Sequence, residues 1–176
     1  MSENEKQYPR FEIFRGSEAP SLHESQCMTA VGETPNMLAT LARFPEMTKA
    51  GGDQADVPYR RPGMSLARLW VKSGFALPLH THDSDCLYYI VAGSIVMGTE
   101  TLVAGDGFYV GSEVPYSYSA GPEGAEVLEF RTAETFNIRV KDKSVAAWEK
   151  TATNMIDSRE RWSTEPAPVR KMPEKS

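Results

Sequence analysis

The stretch Gly74-Phe-Ala-Leu-Pro-Leu-His80-Thr-His82-Asp-Ser-Asp-Cys86-Leu-Tyr88-Tyr-Ile-Val-Ala-Gly93 decides how this chain folds. Side chains two residues apart on a strand point to the same face, so His80 and His82 stand together. Two imidazoles on one face can converge on a single metal ion. The chain has only 3 histidines, and two of them are here. From Cys86 onward the sequence becomes an apolar run bounded by glycine, as a buried strand requires.

The same texture extends to both sides. Runs rich in Val, Ile, Leu, Tyr and Phe occupy residues 65–72, 86–97, 101–103, 107–110, 116–119, 125–131 and 135–140. Gly, Pro and Asp turns separate them, which predicts an all-β sandwich or barrel. There is no βαβ alternation and no solenoid-length repeat. Residues 1–62 read as an N-terminal arm that packs on the barrel or on a partner. Within it, residues 11–15 suit a short strand and residues 50–56 a loop. Met37, Leu38, Leu41 and Ala42 have helical spacing, with a strand as the alternative. Residues 58–62, with a proline at each end, read as extended chain. The barrel spans 63–142. A C-terminal helix follows over 143–162, capped by Ser144 and carrying Val145, Trp148, Ala152, Met155 and Ile156 on one stripe. Residues 163–176, rich in proline and mixed charge, read as a flexible tail.

Composition narrows the classes. A chain of 176 residues with 40% apolar content suits one globular domain with extensions. The net charge of −5 and the lack of a basic cluster argue against a nucleic-acid surface. No apolar run approaches the roughly 20 residues of a membrane span. The polar, acidic start lacks the order of a signal peptide, so a cytoplasmic location is expected. The two cysteines, Cys27 and Cys86, read as reduced thiols.

At this point the chain resembles the cupins, small antiparallel double-sheet jelly-roll barrels whose mouth often holds a metal. Gly74, His80, His82, position 86 and Gly93 fall on the spacing of the first cupin motif. Gly105, Gly111, Glu113 and Tyr116 follow the second. The resemblance covers residues 65–140. It implies a homodimer, a small-molecule ligand in the barrel and a divalent metal ion (Zn, Fe, Ni or Mn). Two departures stand out: Cys86 replaces the usual ligand glutamate, and Tyr116 the usual third histidine. The proline and glycine of the second motif become Gly111 and Glu113.

Three readings of the site stay open. In the first, His80, His82 and Cys86 hold a metal, and Tyr116 is the catalytic proton shuttle of a dioxygenase, isomerase or lyase. Asp85 and Glu113 are the spare carboxylates. In the second, a metal-free barrel binds or senses a small molecule through the histidines, Tyr116 and Tyr118. In the third, the histidines are structural and function lies in partner binding. Tyr118, Tyr88 and Trp70 are the candidate substrate contacts. Tyr88 and Tyr89 alternate, so one faces in. Glu126 and Glu129 are three apart and cannot both face in. Arg60, Arg61 and Arg68 are candidates to neutralise an acidic substrate. Asp106 is expected to fix its Gly-Asp-Gly turn.

Overall fold

A computed structural model describes residues 8–32, 34–141 and 144–168. Among these residues nine strands form two sheets. The larger sheet has the order β2 (Asp53–Arg61), β3 (Met64–Val71), β8 (Ser119–Arg131), β5 (Cys86–Met97) and β6 (Glu100–Val103). The strand β7 (Gly107–Val110) pairs with the first part of β5. The smaller sheet runs β1 (Met28–Val31), β9 (Phe136–Val140) and β4 (His80–Thr81). All pairings are antiparallel except β1 with β9.

Strand alternation sets what each face carries. Along β5 the residues Cys86, Tyr88, Ile90 and Ala92 are buried, whereas Leu87 is exposed. On the neighbouring β8, Ala125, Val127 and Arg131 are buried and Phe130 is exposed. Register places Cys86 opposite Arg131, Tyr88 opposite Glu129 and Ile90 opposite Val127. The inner face is therefore apolar at one end of these strands and polar at the other. Val71, Ile90, Ile95 and Val127 are essentially inaccessible, each worth roughly 1.5–3 kcal/mol of burial. The motif glycine Gly93 has φ +70°, and a Cβ there would lie 2.1 Å from the Gly124 carbonyl oxygen. Only glycine lets β5 and β8 approach this closely.

The amino-terminal third is built into the barrel more deeply than an arm. Of the expected arm, β2 and β1 are members of the two sheets, and residues 11–15 are not a strand. Periodicity hid β2 because its register shifts between Asp56 and Tyr59. Pro58 falls inside that shift, where the missing N–H costs no ladder bond. The expected loop at residues 50–56 thus becomes strand from Asp53 onward. The segment at 35–44 is helical, within α2 (Pro35–Lys49). A short helix, α1 (Leu22–Ser25), is held by a capping box: the Ser21 hydroxyl accepts from Glu24 N–H, and the Glu24 carboxylate accepts from Ser21 N–H.

The carboxy-terminal helix is two helices, α3 (Val145–Asp157) and α4 (Arg159–Thr164). Ser144 caps α3 by accepting from Ala147 N–H, and Trp148, Ala152 and Met155 face inward. Trp162 on α4 is buried and donates from Nε1 to the Ser73 carbonyl at 3.0 Å. The expected tail starts too early: Glu165 accepts from Ser73 N–H and from the Ser73 hydroxyl, each at 2.6 Å. Residues 169–176 lie outside the described residues. Among the described residues no helix is long and apolar enough to cross a membrane.

Candidate functional site

The strands enclose a cavity of about 200 Å³. Its walls are mostly apolar, with Leu69, Phe75, Leu77, Phe136, Ile138 and Met155 among them. Its polar end gathers His80, His82, Tyr116, Glu129 and Arg131. β4 places His80, and a reciprocal pair of backbone hydrogen bonds at 3.1 Å sets Tyr116 directly opposite it. The imidazole of His80 and the phenol ring of Tyr116 lie 4.3 Å apart, centre to centre. The turn after β7 keeps the motif's shape without its glycine: Glu113 has φ +62° and donates N–H to the His82 carbonyl at 2.7 Å. A left-handed glutamate costs roughly 1–2 kcal/mol of backbone strain relative to glycine.

The two histidines are fixed in one tautomer. His80 Nδ1 faces the Pro78 carbonyl at 2.7 Å, and His82 Nδ1 faces the Asn137 carbonyl. A carbonyl only accepts, so both Nδ1 atoms carry the proton. Both Nε2 atoms are then lone pairs, and they face each other at 3.1 Å. Burial lowers the His80 pKa from its ordinary value to about 4. Burial and the nearby Arg131 cation lower that of His82 to about 3. Near neutrality neither ring relieves the repulsion by taking a proton.

Arg131 and Glu129, which sequence reasoning left without a role, complete the polar end. The Arg131 side chain is 2% exposed and bonds Glu129 at 2.7 Å. Its Nη2 also donates to the Tyr88 hydroxyl at 3.1 Å and to His82 Nε2 at 3.4 Å. Nε and Nη1 of Arg131 have no partner among the described residues. The Tyr88 and Tyr116 hydroxyls are in direct hydrogen-bond contact. Burial raises the pKa of both phenols, so both keep their protons near neutrality.

Several expected site residues stand elsewhere. Tyr88 lies behind Tyr116, stacked on Phe108 at 4.4 Å, and is not part of the cavity wall. Tyr118 is buried in the core and likewise off the wall. Trp70 points outward, because the inward residues of β3 are its neighbours Leu69 and Val71. It lines a separate depression with Asp56, Arg68 and Glu126. Glu126 and Glu129 do face opposite ways. Arg68 pairs with Asp56, and Arg60 donates to the Ser25 carbonyl. Asp85 accepts from Ser112 N–H, and Glu113 pairs with Arg139 at 3.5 Å, so neither carboxylate joins the histidines. Asp106 accepts from Val103 N–H and holds its turn.

The donor set does not fit a resident divalent metal. Two converging imidazole lone pairs are what such an ion needs, and backbone carbonyls on Nδ1 are a usual second layer. The rest is missing. Among the described residues no third His, Cys, Asp or Glu side chain joins the pair. Cys86 packs in the apolar core and is not among the residues that line the cavity. The nearby carboxylate, Glu129, is committed to Arg131. The assignment of Cys86 as a ligand is therefore withdrawn.

No protein-family model matches the chain, and no curated protein does. Solved structures do. An RmlC-like cupin from Shewanella frigidimarina is 16% identical with a TM-score of 0.47, over 72% of this chain and 93% of its own. The polyketide cyclase RemF from Streptomyces resistomycificus is 19% identical with a TM-score of 0.49, over 61% and 83%. KdgF from Halomonas sp. is 20% identical with a TM-score of 0.41, over 47% and 80%. Likeness at this level carries no statement about activity, so the fold is read from the chain's own strands and motif. With two packed sheets, β5 closed on β8 at Gly93, and His80 and His82 turned into the cavity, the barrel is a jelly roll of the cupin type.

Proposed function

We propose that the barrel binds a small organic molecule in its cavity directly, without a resident divalent metal. One observation carries this reading: the Nε2 lone pairs of His80 and His82 meet at 3.1 Å beside a buried guanidinium. A ligand group that donates hydrogen bonds would relieve that repulsion, and the apolar wall would take the rest of the molecule. The role proposed is binding or sensing. A metal-dependent dioxygenase, isomerase or lyase is the competing reading, supported by the two imidazoles alone.

Elemental mass spectrometry on untagged protein separates the two. The expected result is metal well below one equivalent, unchanged in His80→Asn/His82→Asn, before and after dialysis against Zn(II), Fe(II), Ni(II) or Mn(II). One equivalent of a divalent metal, lost in the double variant, would overturn this reading in favour of the metal-dependent one.

A further inference from the structure

We propose that the outer face of the larger sheet is the contact surface of a homodimer, in which the row Tyr59, Leu66, Phe130, Leu87 and Tyr109 packs on the same row of a second copy with its direction reversed. The proposal is independent of the binding role argued for the cavity.

Strand register builds the row. Tyr59 pairs with Leu66, Leu66 with Phe130, Phe130 with Leu87, and Leu87 with Tyr109. Residues paired across strands share a face, so the five side chains cross β2, β3, β8, β5 and β7 in one line. Their neighbours Cys86, Tyr88 and Arg131 are buried, so the row stands on the reverse side of the sheet from the cavity. Phe130 is 44% exposed, Leu87 52% and Tyr109 64%. A sheet with one face in water carries polar residues on that face, and this one carries none along the row except phenol hydroxyls.

The apolar surface extends beyond these five. The Phe14 ring lies 5.4 Å from that of Tyr59, and Val114 sits beside Tyr109 at Gly111. Exposed Met64 flanks the row on one side, and the half-buried pair Leu128 and Tyr89 on the other. Strands about 4.8 Å apart, with same-face residues about 6.8 Å apart along each, give a patch roughly 19 Å by 14 Å between side-chain bases. That is the scale of the apolar centre of a standard interface, which buries about 800 Å² per partner. Patches of this size on a soluble chain mark interaction sites.

Charge selects a second copy as the occupant. Arg61 pairs with Met64, one step beyond the row at its β2 end. Asp85 lies one step beyond Leu87 on the same side, at the other end, and accepts from the neutral Ser112 N–H. Among the described residues neither side chain belongs to an ion pair. A two-fold axis parallel to the strands and passing by Phe130 reverses the row. It lays Tyr59 on Tyr109, Leu66 on Leu87 and Phe130 on itself. The same axis sets Arg61 of each copy against Asp85 of the other, so the surface complements itself in shape and in charge.

Sedimentation velocity on the full chain tests this. A dimer is expected to predominate at about 10 µM, and Leu87→Lys/Phe130→Lys to weaken it by about a hundredfold or more. Both side chains are exposed in the single chain, so this variant is expected to keep the far-UV circular dichroism of the wild type. Asp85→Asn still accepts from Ser112 and should weaken the dimer by about fivefold at low salt, with the difference lost at high salt. Phe130→Cys puts a thiol at the axis, where facing sheets stand about 10 Å apart. A short bismaleimide should link two copies of it, and should not link Glu100→Cys on β6. Cys27 and Cys86 are buried and do not compete. A monomer at about 100 µM would overturn the proposal and leave the face to a different protein. A dimer that survives Leu87→Lys/Phe130→Lys, or a dimeric Phe130→Cys that does not cross-link, would overturn it as well.

Discussion

Glu129→Gln is expected to lower the unfolding free energy by about 3–5 kcal/mol, a large fraction of the stability of a domain this size. The cause is the charge left behind. The Arg131 side chain is 2% exposed, and Glu129 is the anion bonded to it at 2.7 Å. Glutamine keeps the shape and can still accept a hydrogen bond, so the loss isolates the effect of charge. Arg131→Met added to Glu129→Gln removes the stranded cation as well, and the double variant should recover most of the loss. Urea unfolding of wild type, single and double variants checks this. A single variant within 1 kcal/mol of wild type, on the order expected for an exposed pair, would mean the pair is solvated.

Acidification is expected to unfold the protein through the same site. The folded pKa values of His80 and His82, about 4 and about 3, lie below the ordinary 6.5. The unfolded chain therefore binds protons first as pH falls. The contribution of these two rings is fully present above pH 6.5 and is lost as pH falls toward 4 and 3. Each ring removes up to about 1.4 kcal/mol per pH unit in that window, or about 2.7 kcal/mol for both. Denaturation at pH 7.5, 6 and 5 should show this slope in the wild type and a flatter one in His80→Asn/His82→Asn. Equal slopes would show that the buried, neutral state of the rings is wrong.

The sequence carried the barrel because its message there is local. His80 and His82 two apart, a glycine at each end and an apolar strand between them specify strand, face and turn without distant information. The Ser144 cap was legible for the same reason. The first 62 residues do not announce their strands, because β2 breaks its alternation at Asp56–Tyr59 and β1 is too short to show a period. Trp70 reads from the sequence as a substrate contact. Counting faces along β3 sends it outward, since Leu69 and Val71 take the interior. Arg131 is the residue that most alters the chemistry, and it was missed. Its signal was present: on β8 the residues Ala125, Val127, Glu129 and Arg131 share one face, and a charged pair ending an otherwise apolar face is rarely idle. What one chain's sequence could not supply was the register that puts Arg131 opposite Cys86 and beside His82.

Both histidines are neutral, protonated at Nδ1, and turn their Nε2 lone pairs toward one point, with that of His82 also facing Arg131 Nη2. Long-range proton–nitrogen correlation NMR on ¹⁵N-histidine-labelled protein at pH 7 reads this directly. His80 and His82 are each expected to show a protonated Nδ1 and an unprotonated Nε2, and to hold this state down to pH 5. An imidazolium, or a proton on Nε2 of both rings at pH 7, would contradict it.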